Sequence, residues 1–231
     1  MNSGPLSERM NFGLPCFKIR SNNTSVFALK MFLGNNPDLD LRDEDFHGKL
    51  ILDVGFGDGR DLVLFHNLGF EVFGVEVDEQ VVEHTKRKLQ SSGMRTTLSV
   101  GYNDETGFGR NSFDYVYSCA ALMYLRSEES NIHKTLSHIH EIVKPGGRFL
   151  GTFTRSDSHI TRDSTKIDQN RIICKDPFYR QREGQLYWLH HSESEVESDL
   201  LNAGFSDCKV YDYDVDWFGT KETAFIFVAT K

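Results

Sequence analysis

Residues 50–60 of the chain read LILDVGFGDGR. Leu50, Ile51 and Leu52 have the character of a buried parallel strand, and an apolar helical pattern begins near Asp61. Between the two, Gly55, Gly57 and Gly59 alternate behind Asp53. Glycines at a strand-to-helix turn let backbone N–H groups approach a ligand that a side chain would block. A dinucleotide-binding turn is spaced G-x-G-x-x-G and aims a helix N-terminus at a pyrophosphate. Here the spacing is D-x-G-x-G-x-G, and the Asp53 carboxylate would repel a pyrophosphate but suit a ligand bearing an ammonium group. A glycine-rich turn without a ligand is the bland alternative. Three alternating glycines after a buried strand argue against it.

The rest of the chain supports one α/β domain. Strand patterns at 49–54, 70–76, 96–100, 113–118 and 147–153 alternate with helical patterns ending near Asn67, at 79–91 and at 128–143. This order predicts a parallel sheet with right-handed crossovers. A short amphipathic helix is expected over 24–33, a final helix follows Ser192, and two more strands are expected near 207–215 and 223–229. A chain of 231 residues can bury a sizeable core. Its net charge of −8 disfavours nonspecific nucleic-acid binding. No apolar run reaches the roughly 18 residues needed to span a bilayer, and the first residues lack signal-peptide character. Cys16, Cys119, Cys174 and Cys208 show no C-x-x-C spacing. They read as reduced thiols, so a cytoplasmic protein with no metal site is expected.

The D-x-G-x-G-x-G turn resembles the first motif of the class I, Rossmann-like S-adenosylmethionine (SAM)-dependent methyltransferases. Other segments resemble that family in order. Glu76, 17 residues after Gly59, stands where the family grips ribose hydroxyls, with Val77 beside it and Asp78 as an alternative. Residues 101–114 resemble the loop near the adenine edge, although Tyr102 takes its usual acidic position, leaving Asn103 and Asp104. The small residues Ser118 to Ala121 would leave room beside the cofactor, and Tyr124 stands where many relatives carry histidine. The turn VKPGGRFL at 143–150 and the AGF at 203–205 complete the likeness. It covers 48–153 and 192–231. It implies a three-layer α/β/α fold with a seven-stranded, mostly parallel sheet and one antiparallel C-terminal strand. It also implies a SAM site made from Asp53, Gly55, Phe56, Gly57, Gly59, Glu76, Val77, Asn103, Asp104, Ser118 and Cys119.

What lies outside the shared core speaks to the acceptor. Residues 1–47 read as an N-terminal helical or lid segment, in which Arg9, Arg20 and Asn23 are candidates for the SAM carboxylate. An insertion spans about 154–191. From Arg155 to Arg182 it carries seven cationic and four acidic side chains, a surplus of three in an acidic protein. Guanidinium groups grip carboxylates and phosphates in pairs, so a small anionic acceptor is expected, methylated on oxygen. Tyr124, Arg155, Tyr179 and Arg180 are the candidate acceptor contacts. A solvated, mixed-charge insertion is the bland alternative. His190, His191 and Tyr124 are the candidate catalytic groups. Asp176-Pro177-Phe178-Tyr179 imitates the D-P-P-Y box of amino-group nucleic-acid methyltransferases, but it lacks the second proline and does not follow the fourth strand. A monomer or homodimer acting without nucleic acid or membrane is expected. The competing readings are a NAD(P)-dependent oxidoreductase, a noncatalytic SAM-binding subunit and an RNA methyltransferase.

Overall fold

The structure, a computed structural model, describes residues 24–34, 36, 39, 41, 44–175 and 182–231. Its chain order begins with helix α1 (Val26–Leu33), followed by β1 (Leu50–Val54), α2 (Arg60–Asn67), β2 (Glu71–Glu76), α3 (Glu79–Ser91), β3 (Thr96–Val100) and β4 (Phe113–Ser118). Then come α4 (Ile132–Ile142) and β5 (Val143–Thr154), and three short strands, β6 (Thr165–Lys166), β7 (Arg171–Ile173) and β8 (Leu186–Trp188). The last elements are α5 (Glu193–Asn202), β9 (Ser206–Trp217) and β10 (Thr220–Thr230).

Seven strands form one sheet in the order β3-β2-β1-β4-β5-β10-β9. The first five are parallel, β10 runs antiparallel to β5, and β9 pairs antiparallel with β10. The expected fold class is therefore found. The strand order reverses between β1 and β4. That is the position at which ligands bind beyond the carboxyl ends of the strands in open α/β sheets.

Successive strand residues face opposite sides of the sheet, and the apolar run of β1 fills both. Ile51 joins a core with Phe32, Phe65, Phe70, Tyr115 and Tyr117 beneath α1 and α2. Leu52 joins the opposite core with Phe113, Phe149, Leu136 and Val196 beneath α4 and α5. Helix α1 is set by Ser25, whose hydroxyl accepts from the N–H of Ala28 (3.1 Å). Its Phe32 meets Phe65 and Phe70 edge-on at 5.1 and 5.9 Å.

Three boundaries differ from expectation. Helix α4 starts at Ile132, because the Asn131 side chain caps Lys134 N–H (3.0 Å). The VKPGG segment is extended, and β5 begins at Val143, opposite Phe113 of β4. Proline favours this conformation by holding φ near −65° and offering no donor to a helix. The last two strands are longer than their apolar pattern, because each completes the other's backbone ladder as far as Trp217 and Thr220. Within the insertion, β7 and β8 pair antiparallel, with Arg171, Ile172 and Ile173 opposite Trp188, Tyr187 and Leu186.

Replacing Phe32 with alanine should cost about 3–5 kcal/mol of stability, read as a lowered urea midpoint. An unchanged midpoint would show that α1 does not share the sheet's core.

Candidate functional site

The site is built where β1 turns into α2. Gly55, Gly57 and Gly59 all have left-handed backbone, with φ of 79°, 52° and 74°. Close packing excludes side chains at the outer two. A Cβ on Gly55 would stand 2.3 Å from that of Ala121, and one on Gly59 would stand 2.6 Å from the Thr85 methyl. At Gly57 no described residue lies within 4 Å of that point. The middle glycine therefore faces open space while its neighbours anchor the turn. Thr85 Oγ1 donates to the Gly57 carbonyl (3.0 Å) and Lys88 Nζ to that of Asp58 (2.9 Å), so α3 braces the turn from behind.

Three carboxylates surround it. Asp53 ends its strand between Gly74 of β2 and Tyr117 of β4, and it is 3% exposed. Among the described residues nothing hydrogen-bonds to its side chain. Burial, followed by the charges of Asp61 and Glu76, holds its carboxyl well above the usual range. Glu76 accepts from the N–H groups of Val77 (2.8 Å) and Gly57 (3.1 Å). Burial raises its pKa despite these bonds. Each carboxylate offers about four acceptor sites, so Glu76 keeps capacity for a ligand's hydroxyl groups. Asp61, in the first turn of α2, accepts from Ser25 N–H (2.7 Å), Ser25 Oγ (2.8 Å) and Tyr117 Oη (3.1 Å). That contact ties the start of α1 to the rim of the site.

Residues 51–147 match the family described as a methyltransferase domain. Over those residues the chain is similar to a methyltransferase domain. The match begins inside β1 and takes in the glycine turn, Glu76 and the loop after β4. Demethylmenaquinone methyltransferase of Symbiobacterium thermophilum is 35% identical over 109 residues, which are 45% of this chain and 41% of that protein. The chain spans about half the length of the curated relatives it matches. A SAM-dependent methyltransferase from Methanosarcina mazei superposes with a TM-score of 0.64 at 18% identity, covering 80% of this chain and 93% of that one. The Burkholderia thailandensis 1,6-didemethyltoxoflavin-N1-methyltransferase, solved with S-adenosylhomocysteine, gives 0.59 at 23% identity over 80% and 72%. At these identities the structural likeness speaks for the fold alone.

The candidate residues fall into three groups. Asp53, Gly55, Gly57, Gly59 and Glu76 converge on the turn, and Val77 follows Glu76 as an exposed apolar side chain. The Phe56 ring fills core space left by Gly74 and is 5% exposed, so the turn keeps only its backbone. A second group is engaged within the protein. The Asn103 amide spans the carbonyls of Ala121, Leu122 and Tyr124 at 3.1–3.4 Å. Asp104 pairs with Arg126 (3.1 Å) and Lys134 (2.9 Å), which hold its carboxyl below the usual range against burial. Ser118 Oγ donates to Val54 C=O (2.8 Å), and burial pushes the Cys119 thiol up to about 12, so it stays protonated. The third group belongs to the insertion. Arg155 is held by Asp157 (3.0 Å) and Asp212 (3.1 Å). His190 is fully buried between Phe153, 4.5 Å away, and Asp199, whose Oδ2 lies 3.0 Å from Nε2. His191 is exposed, with Nε2 2.8 Å from the Gln169 carbonyl. Tyr124 is half-exposed, its ring 4.8 Å from that of Tyr187. Tyr179, Arg180, Arg9, Arg20 and Asn23 lie outside the described residues.

His138 of α4 is half-buried, and its Nε2 accepts from Thr106 N–H (3.0 Å). Burial lowers its pKa. The candidates also omitted Ser25, Asp61 and Tyr117. An acid among the apolar positions of α2 was the available signal. The serine before an apolar helix was a second one. Among the described residues no group of three or more metal-ligating side chains converges.

The raised carboxyl of Asp53 gives a prediction with a defined sign. A buried acid whose folded pKa is raised supports folding fully below its unfolded value, and that support is lost as pH rises through the folded value. Asp53→Asn should therefore be more stable than the parent at pH 8, on the order of 1 kcal/mol or about 2–4 °C for a chain of this size. The gain should vanish towards pH 4. A loss of stability at pH 8 would contradict the burial argument.

Proposed function

We propose that the site holds SAM and that the protein transfers the SAM methyl group to a small, anionic acceptor, on oxygen. The observation that carries this reading is the buried Asp53, without a hydrogen-bond partner among the described residues, beside a glycine turn left open at Gly57. A cation-bearing ligand would relieve the mutual repulsion of Asp53, Asp61 and Glu76, whereas a pyrophosphate would add to it. When bound, SAM supplies a methyl group on a sulfonium, open to in-line displacement. In this reading Asp53 faces the ammonium group, Glu76 takes the ribose hydroxyls, and the turn amides and Val77 lie along the adenosyl portion.

The enzyme's task is alignment and exclusion of water. Residues 154–191 act as the acceptor cap over the site, and the N-terminal segment acts as a lid tied down through Ser25 and Asp61. The surplus of cations in the cap supports an anionic acceptor. Arg155 supports it less, because two aspartates already neutralise it. Among the candidate catalytic groups Tyr124 is favoured, since it follows closely on Ala121, which packs against Gly55 of the turn. His190 and His191 are engaged with Asp199 and a carbonyl. Ser118 to Ala121 stand where an amino-group enzyme of the D-P-P-Y type would carry its box, which favours oxygen. Among the described residues no helix is long and apolar enough to cross a membrane, in keeping with a cytoplasmic enzyme.

Differential scanning fluorimetry with SAM, S-adenosylhomocysteine and NADH tests the cofactor. The first two should raise the melting temperature and NADH should not. Stabilisation by NADH alone would favour the oxidoreductase reading. Glu76→Ala should weaken S-adenosylhomocysteine binding about 10- to 100-fold, the scale of lost charge-assisted hydrogen bonds. Binding should also strengthen as pH rises through the raised Asp53 pKa, because the ionised carboxylate is the form that meets an ammonium. A pH-independent affinity would remove Asp53 from the proposed role.

A further inference from the structure

A ligand whose ammonium group meets Asp53 brings a second charge with it. In an α-amino acid the ammonium nitrogen and the carboxylate carbon share one carbon and stand about 2.5 Å apart. A carboxylate placed there meets Asp53, Asp61 and Glu76, three acids of its own sign. The site therefore needs a cation close to Asp53 to take the whole amino-acid end.

The cations around the site differ in how they are used. Lys88 is spent behind the turn, on the Asp58 carbonyl (2.9 Å). Arg126 lies across the Tyr102 ring at 3.7 Å and pairs with Asp104 and Glu105. Arg60 is the first residue of α2, directly after Gly59, and its side chain is 54% exposed. Its Nε stands 3.7 Å from Asp58 Oδ1. That is an ion pair beyond hydrogen-bond distance, so the five-donor guanidinium keeps N–H groups for a ligand. Two observations bring Arg60 to the gap between β1 and β4. Its neighbour Asp61 bonds Tyr117 (3.1 Å), which lies beside Asp53 in the sheet. Burial dominates the raised pKa of Asp53 and of Cys119, and the Arg60 charge works against it at both.

We infer that Arg60 binds the cofactor's carboxylate and makes the site selective for the intact amino acid. Asp53 faces the ammonium group, and the Arg60 fork takes the two carboxylate oxygens, the paired geometry that guanidinium groups favour. Arg60 thus takes the role expected of Arg9, Arg20 or Asn23. The inference rests on the proposed SAM reading and adds a discrimination to it. Decarboxylated SAM keeps the sulfonium and the ammonium group, lacks the carboxylate, and binds more weakly.

The test is calorimetric titration of SAM, decarboxylated SAM and S-adenosylhomocysteine into the parent, Arg60→Gln and Arg60→Lys. The parent should bind SAM about tenfold more tightly than decarboxylated SAM. Arg60→Gln should bind SAM and S-adenosylhomocysteine about five- to twentyfold more weakly, the scale of a charge-assisted hydrogen bond in a half-exposed position. It should bind decarboxylated SAM at least as tightly as the parent does, because a like charge near the ammonium group is gone. Arg60→Lys, which keeps the charge without the fork, should fall between. The side chain is exposed, so the melting temperature without ligand should hold. An equal loss for SAM and decarboxylated SAM in Arg60→Gln marks a disturbed turn and overturns the inference. So does unchanged SAM binding by Arg60→Gln, or equal binding of the two sulfoniums by the parent. If neither SAM nor S-adenosylhomocysteine binds the parent, the cofactor reading falls and the role of Arg60 with it.

Discussion

The close approach of backbone to its neighbours along residues 55–59 is the constraint on which the site depends. Gly55 lies against Ala121 and Gly59 against Thr85 with no room for a side chain. The turn can therefore sit only where the loop after β4 and helix α3 already are. Those contacts require β1 beside β4 and β2, which is the strand order observed. The open space above Gly57 is a consequence of the same geometry. With its neighbours wedged and α3 holding the carbonyls from behind, the middle residue is turned outward.

Electrostatics give the opening its preference. Three acids converge on a turn whose nearby Arg60 is engaged, at 3.7 Å, with Asp58. Asp61 accepts from three donors, and Glu76 from two backbone amides. Among the described residues Asp53 is the one of the three with no hydrogen-bond donor. Such a group opposes folding when ionised and favours a cationic ligand for the same reason. Stability and binding are thus set against each other at one carboxylate, as is common where a site must be complete only with its ligand.

The insertion makes a separate contribution. Its β8 strand borrows the backbone of residues 123–125, so a segment distant in sequence becomes part of the rim. Arg155 links the same segment to the C-terminal hairpin through Asp157 and Asp212, and Lys221 joins Asp157 (2.8 Å). Cations that suggest an anion site in sequence can thus be consumed in holding two parts of the fold together.

Much of this was legible before any coordinates. The alternation of apolar strands with helical patterns determined the parallel sheet, because period and length report burial directly. The spacing Asp53, Gly55, Gly57, Gly59 and Glu76 marked the turn, because glycine at positive φ leaves a signature that other residues rarely satisfy. Which polar side chains remain available to a ligand was decided only in three dimensions. Asn103, Asp104 and Arg155 looked free in sequence, but partners 18 to 57 positions away claim them. Ser25, Asp61 and Tyr117 drew no notice, because their meeting spans 36 and 92 positions. Hydrogen bonds act over about 3 Å of space whatever the distance along the chain. Local pattern therefore determined the scaffold, and tertiary contact decided which of its polar groups are left to bind.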